Sequence, residues 1–367
     1  MSRGHGPRAR PPLRRRMQRW SGLPLAVLLA ATPLLASANE PDAVGAPPPP
    51  QETAGGLQQR TILSPQGSFT AEPSLSYSQS TSTRVAIDGV TILPAIAVGL
   101  ISVRQTQRES LTAALGLRYG LTDRLEVETR IPYVYREEQV REREILQSSD
   151  FAGIRDSDGY GLGDVEASLR YQLSSGRGDG AIFTGGLRVK SRTGRDPFEV
   201  ETDEIPLDDG NSDARNISIY SEQPTGSGFY AVQPSLNWVY PSEPAVLYGS
   251  LSYLYNIPRT VTLEGSDGPM RVRIEPGSAI GVSFGMGLAL NDRTSLSLGY
   301  DHTAVLRTRT DGAPRVDAEF GRFQVGSLLI GASHRLGPRT SLGLSVGVGV
   351  TAEAPDVQVT LRLPIRF

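Results

Sequence analysis

Charged side chains recur at even spacing in several short runs. Glu126, Glu128 and Arg130 form one run, Asp164, Glu166 and Arg170 a second, Arg188 and Lys190 a third. On a β-strand, positions two or four apart share one face. Acids and bases meeting across neighbouring strands can do either of two things. They can pair and brace a wall, or they can line a water-filled path and set its selectivity. The sequence leaves both open. Glu72, Arg118, Asp301, Arg362 and Arg366, with Gln233 and Asn237, share the parity of these runs. They complete the candidate pore-lining set.

Other chemistries are poorly supplied. There is no cysteine, and of three histidines His5 lies in the N-terminal arginine-rich stretch. His302 and His334 sit in no nucleophile motif, and His302 is expected on the opposite face from Asp301. No catalytic residue is assigned. DSDGYGLGD (156–164) offers Asp156, Asp158 and Asp164, but glycine-rich strand geometry explains it more simply than calcium. DPFEVETDEIPLDDGNSD (196–213) is acidic without a base and reads as a solvated loop; its spacing matches no cation loop. No metal or cofactor is expected.

The elements that position the charged runs alternate with period two. In SAIGVSFGMGLAL, Ile280, Val282, Phe284, Met286, Leu288 and Leu290 oppose Gly281, Ser283, Gly285, Gly287 and Ala289. TSLGLSVGVGV (340–350) repeats the pattern. A solvated sheet face favours Lys, Glu and Thr, whereas small and charged residues suit the concave inner wall of a closed tube. About twelve such segments follow one another between 68 and 367, each around 10–13 residues, enough for a tilted strand to cross an outer membrane. The expected fold is all-β: an antiparallel transmembrane barrel of about 12 strands. Short connections at 121–124, 174–180, 241–245, 291–294 and 337–339 alternate with long ones near 81–105, 141–162, 192–227, 257–277 and 308–322; 352–356 is a shorter exception. Short turns are expected in the periplasm and long loops outside. Residues 84–105 fit a hairpin extension or a loop folded into the mouth. Tyr119, Tyr133, Tyr135, Tyr171, Trp238, Tyr240, Tyr253, Tyr255 and Tyr300 share the outward parity, as interfacial aromatic belts require.

The N-terminus reads as a secretion signal over 1–38: a basic region, the apolar LPLAVLLAATPLL and a small-x-small site at Ala36-Ser37-Ala38. Met1 and Met17 are both candidate starts. The signal holds seven of the 37 basic residues and no acid, so the mature chain has 30 bases against 39 acids, a net charge of −9. That disfavours nucleic acid as a partner. Residues 39–56 are rich in proline and glycine and read as a flexible periplasmic tether. The last strand alternates Val357, Val359, Leu361, Leu363, Ile365 and Phe367 with polar residues. In a closed barrel it pairs with the first strand, and Phe367 sits at the periplasmic girdle. A terminal aromatic of this kind resembles the signal read by the barrel-assembly machinery, an expected partner alongside outer-membrane lipid.

LSPQGSFTAEPSLSYS (63–78), ALGLRYGLTDRLEVETRIPYVYR (114–136) and GYGLGDVEASLRYQL (159–173) resemble the outer-membrane transporter family of the MetA pathway of phenol degradation, over nearly all of 60–367. The resemblance implies a barrel transporter with a loose link to aromatic catabolism. GGLQQRTILSPQGSF (55–69) also resembles the plug of Fap-type functional-amyloid export channels. This implies a plug at 57–67 through Leu57, Arg60, Leu63, Pro65 and Gly67. The tether, however, shows no heptads for a periplasmic coiled coil. Three functions follow as expectations. The first is an outer-membrane channel passing small, aromatic or hydrophobic molecules through a gated lumen. The second is a secretion pore for unfolded amyloid subunits. The third is a structural or adhesive barrel with a closed lumen.

Overall fold

The computed structural model describes residues 63–93, 96–144, 152–174, 180–200, 202–206, 216–265, 268–311 and 322–367. The signal, the tether, Leu57 and Arg60 lie outside the described residues. Among those described there are strands and turns and no helix.

Nineteen strands follow in order. The first group is β1 (Phe69–Leu93), β2 (Ile96–Thr122), β3 (Leu125–Glu144), β4 (Ala152–Leu162), β5 (Glu166–Gln172) and β6 (Ile182–Lys190). Then come β7 (Thr202–Pro206), β8 (Asn216–Tyr220), β9 (Ala231–Pro241), β10 (Ala245–Asn256), β11 (Arg259–Gly265) and β12 (Gly268–Glu275). The last are β13 (Ala279–Ala289), β14 (Thr294–Val305), β15 (Arg309–Asp311), β16 (Phe323–Arg335), β17 (Ser341–Gly349), β18 (Val357–Arg362) and β19 (Ile365–Arg366). One continuous sheet runs β1-β2-β3-β5-β6-β9-β10-β13-β14-β16-β17-β18 and closes on itself where β18 and β19 pair with β1. The result is a closed barrel of twelve antiparallel staves. β4 continues the stave of β5 above it.

Closure reaches the last residue. Pro364 has no N–H and interrupts the final stave, yet Leu363 N–H donates to Pro73 O at 3.0 Å and Phe367 N–H to Phe69 O at 2.8 Å. The two phenylalanine rings meet with centroids 5.9 Å apart.

The alternation orients the wall. Phe284, Leu298 and Ile330 are exposed on the outside, while Ser283, Ser327 and Ser345 on the other parity are buried. A closed tube whose outer face is an apolar belt is built to meet lipid.

Two departures from the sequence reading stand out. The long connections are largely strand. β1 and β2 continue in register as far as Val90↔Val98, β3 and β4 pair up to Arg143↔Ala152, and β7–β8 and β11–β12 are separate hairpins. Thus 84–93 and 96–105 extend a hairpin. Runs such as VAIDGVTIL carry their own β-branched pairing signal, strong enough to outlast the barrel wall. Second, the stave of β4 and β5 slips by one residue: Tyr133 pairs with Leu162, but Arg130 pairs with Glu166. Gly163 N–H bridges the gap by donating to Pro132 O at 2.9 Å. A one-residue bulge exchanges faces. Tyr160 and Leu162 therefore point outward, whereas Glu166 and Arg170 of the same parity are buried inside.

Candidate functional site

The inner wall has two unlike halves. β1, β2, β3, β5 and β6 carry the predicted charges, and these pair with one another. Arg118 pairs with Glu72, and Arg170 with both Glu126 and, at 3.0 Å, Glu128. Glu166 holds Arg188 at 3.1 Å and lies 3.9 Å from Arg130. Lys190 lies 3.5 Å from Asp164. Strand register brings the partners within reach: Glu126 faces Arg170 and Arg130 faces Glu166, while Glu72 lies diagonally across from Arg118, which faces Thr70. Burial then requires the pairing, since an unpaired charge away from water costs several kcal/mol. Above them Arg108 pairs with Glu138, a bridge the sequence reading did not single out although both residues share the inward parity.

The other half, β10 through β18, is lined by glycine and hydroxyls. Ser250 and Ser283 lie 2.7 Å apart, and at the seam Thr360 lies 3.0 Å from Ser76 of β1. Tyr248 is fully buried on this side and lies across Gly285, where a Cβ would strike its hydroxyl and the Leu298 carbonyl. It clusters with Val239 and Leu329. Asp301 and Arg362 occupy inward positions here, partly buried, and Arg366 is exposed at the short-turn rim.

Both ends of the lumen hold inserted chain. At the short-turn end Ser64 N–H donates to Glu126 Oε2 at 2.6 Å, and Gln66 N–H to Asp123 Oδ1 at 3.1 Å. Leu63 and Ser64 are buried, Pro65 and Gly67 exposed. Gly67 adopts φ 75°, which only glycine takes without strain, and it turns the chain into β1. Gly120 is needed opposite, because a Cβ there would meet the Ser64 and Pro65 carbonyls. Glu126 thus serves the ladder and the inserted segment together. Its 1% exposure shows how little room remains around it.

At the long-loop end residues 222–228 fold against the lumen face of β4. Gly159 makes room for the Gln223 backbone. Arg136 Nη1 donates to Pro224 O at 2.6 Å, Gln223 Nε2 to Ser157 Oγ at 2.8 Å and Thr225 Oγ1 to Leu162 O at 2.8 Å. Asp164 is the fastener. It accepts from Gly194 N–H at 3.1 Å, Ser227 N–H at 2.9 Å and Ser227 Oγ at 2.7 Å. Ser227 also contacts Lys190, but its hydroxyl proton is committed to Asp164, so the trio forms a closed knot. Asp196, expected in a solvated loop, is instead buried against Arg259. A carboxylate hidden under a loop needs a cation, and β11 brings one.

His302 Nδ1 lies 3.0 Å from Tyr300 Oη, and His334 Nδ1 2.9 Å from Thr294 Oγ1. Among the described residues no cluster of His, Asp and Glu has metal-binding geometry.

No family model matches the chain. Several solved structures are similar barrels. An outer membrane channel from Pseudomonas putida F1 shares 15% identity over 84% of this chain and 98% of that one, with a TM-score of 0.48. The translocator domain of the autotransporter NalP from Neisseria meningitidis shares 10% over 85% and 92%, with a TM-score of 0.44. A FadL homologue from Pseudomonas aeruginosa shares 10% over 82% and 90%, with a TM-score of 0.40.

Proposed function

We propose that this barrel stands in the outer membrane of a Gram-negative bacterium, delivered there by the assembly machinery, and passes small neutral molecules by passive diffusion. One observation carries the cargo class. The charges of β1 to β6 are spent on each other, and the other half, Asp301 and Arg362 apart, is lined by hydroxyls and glycine. A wall without uncompensated buried charge sets up little field across the lumen, so it does not select ions strongly. Hydroxyls over a flat glycine surface suit a compact aromatic or phenol-like solute. The segment entering at Ser64 is the gate of this reading, and Glu126 its catch.

Recording single channels from the mature chain and from a chain lacking residues 39–66 tests it. Conductance rising on deletion, with weak ion selectivity, is expected. Silence in both would leave a closed structural barrel. A second reading has one observation behind it: Leu63 and Ser64 are buried at the short-turn mouth with the Ser64 backbone held by Glu126, as chain entering a secretion pore for unfolded subunits would be. Blockade of the open channel by an unstructured peptide but not by phenols would favour that pore.

A further inference from the structure

The hydroxyl and glycine lining of β10 to β18 is broken at two heights by apolar side chains. Ser250, Ser283, Asp301 and Ser327 mark the inward parity of β10, β13, β14 and β16, while Tyr253, Ile280, Leu298 and Leu328 on the other parity are exposed to lipid. Toward the long loops the inward parity reaches Leu254 on β10, Ala279 on β13, Val305 on β14 and Phe323 on β16. These lie level: Leu254 pairs with Ala279, Ala279 with Val305, and Val305 with Phe323. With Ala231 of β9 they pack into one cluster, four of them buried and Phe323 partly so. Nearer the short turns Tyr248 clusters with Val239, Val246 and Leu329, a contact that passes over β13 and β14. Ser252 and Thr303 join Ser250 and Ser283 between the two tiers. Apolar surface on a wetted wall is unfavourable. Two apolar levels facing inward with a hydroxyl level between them therefore call for a role.

We propose that the two tiers are hydrophobic barriers in series, which admit a small neutral solute to the hydroxyl level between them and turn back ions of either sign. The inference deepens the reading of the lumen as a path for neutral solutes and rests on it. A narrow apolar ring empties of water. An ion would have to shed its hydration there without compensation, whereas a neutral molecule with an apolar edge loses little. Once past the ring, such a molecule meets the hydroxyls of Ser250, Ser252, Ser283 and Thr303, each able to donate one hydrogen bond and accept others. Selectivity against charge thus comes from Leu254, Val305 and Phe323 above and from Val246, Tyr248 and Leu329 below, and the hydroxyls select among the neutral solutes that enter.

The chain has no cysteine, so a single Ser252→Cys reports on the level between the tiers. The full mature chain in detergent is treated with three methanethiosulfonate reagents of similar size: one neutral, one cationic and one anionic. Each rate is divided by the same reagent's rate with free cysteine. Both signs are needed, because Arg293, Arg335, Arg339 and Arg366 stand exposed at the short-turn rim and Asp301 lies on the wall. A fixed charge favours one ion over the other, whereas a dewetted ring slows both. Both charged reagents should react at least about tenfold more slowly than the neutral one. Leu254→Asn with Val305→Thr keeps the bulk of the upper tier but makes it polar, and should raise both charged rates while leaving the neutral rate unchanged. Leu254→Ala widens the tier but keeps it apolar, and should preserve the neutral-to-charged ratio. The heat-dependent gel shift of a folded barrel checks each variant, and Val305→Thr alone carries the test if the polar pair does not fold. Equal rates for the three reagents overturn the proposal, as does a reporter that the neutral reagent cannot reach. So does an alanine variant that admits ions as freely as the polar pair, which would mark a size filter. The readout needs no conduction: silent single channels would remove the channel reading and leave this ranking standing, while equal rates would remove the barriers and leave a channel of another selectivity.

Discussion

The half-wall of β1 to β6 and the half-wall of β10 to β18 solve one problem in opposite ways. Both line a crowded interior. The first fills it with long charged side chains and ties each to a partner, as Arg170 is tied to Glu126 and Glu128. The second removes the side chains: Gly285 and Gly299 face each other in register, and the space goes to Tyr248 and a few hydroxyls. The first arrangement is strong only while complete, because its members are buried or half-buried against their partners. The second has little to lose at any hydroxyl and much at any glycine. Both inserted segments fasten to the charged half, one at Glu126 and one at Asp164. The smooth half carries no such catch among the described residues and ends in unpaired arginines at the rim.

Removing a ladder member is the hardest blow to this contrast. Glu126→Ala takes one carboxylate from Arg170 and the acceptor from Ser64. A loss of about 3–5 kcal/mol is expected from breaking a buried pair, measured by denaturant unfolding in micelles. A loss below about 1 kcal/mol, the range of exposed pairs, would mean that water screens the ladder, and the two halves would not differ as claimed. Glu126→Gln keeps the Ser64 acceptor, so comparing the two variants separates gate from brace.

The smooth half should fail by crowding. Gly285→Val drives methyls into the Tyr248 hydroxyl and the Leu298 carbonyl. Overpacking of this kind costs about 1–3 kcal/mol. Ser250→Ala with Ser283→Ala removes both partners of one hydrogen bond, which is close to neutral for stability. Should the double alanine variant unfold as readily as the valine variant, the hydroxyls would be structural and the solute path would need to lie elsewhere.

The period-two rhythm made the fold legible, since twelve runs of it leave few ways to bury one face. The pairing of the ladder was not legible, because register is not local: which acid on β3 meets Arg170 on β5 is settled by the bulge at Gly163. That bulge also hid the orientation of Tyr160 and Leu162, because alternation counted through it carries the wrong phase. The fastening of residues 222–228 had no local signal at all. Asp164 read as one more charge of the inner wall at a glycine-rich strand entry, and only the distant Ser227 and Gly194 give it its task. The arginine rim was visible as residues but not as a group, since its members are spread over 74 positions and meet only when β14, β16, β17 and β19 lie side by side.

The smallest expected effect is the most discriminating in sign. Arg335→Ala touches no buried contact, so its stability change should stay within about 0.5 kcal/mol. Direction is the readout. With Arg293 in place, Arg335 stands opposite a like charge, and losing it should stabilise the barrel slightly. With Arg293 already replaced by alanine, the same substitution relieves no repulsion and should be neutral. Salt separates this from packing, because at 1 M the screening length falls to roughly 3 Å and both differences should vanish. An Arg335→Ala effect of the same sign in both chains, unmoved by salt, would make the rim a set of solvated arginines. The contrast between the half-walls would then end at the lumen.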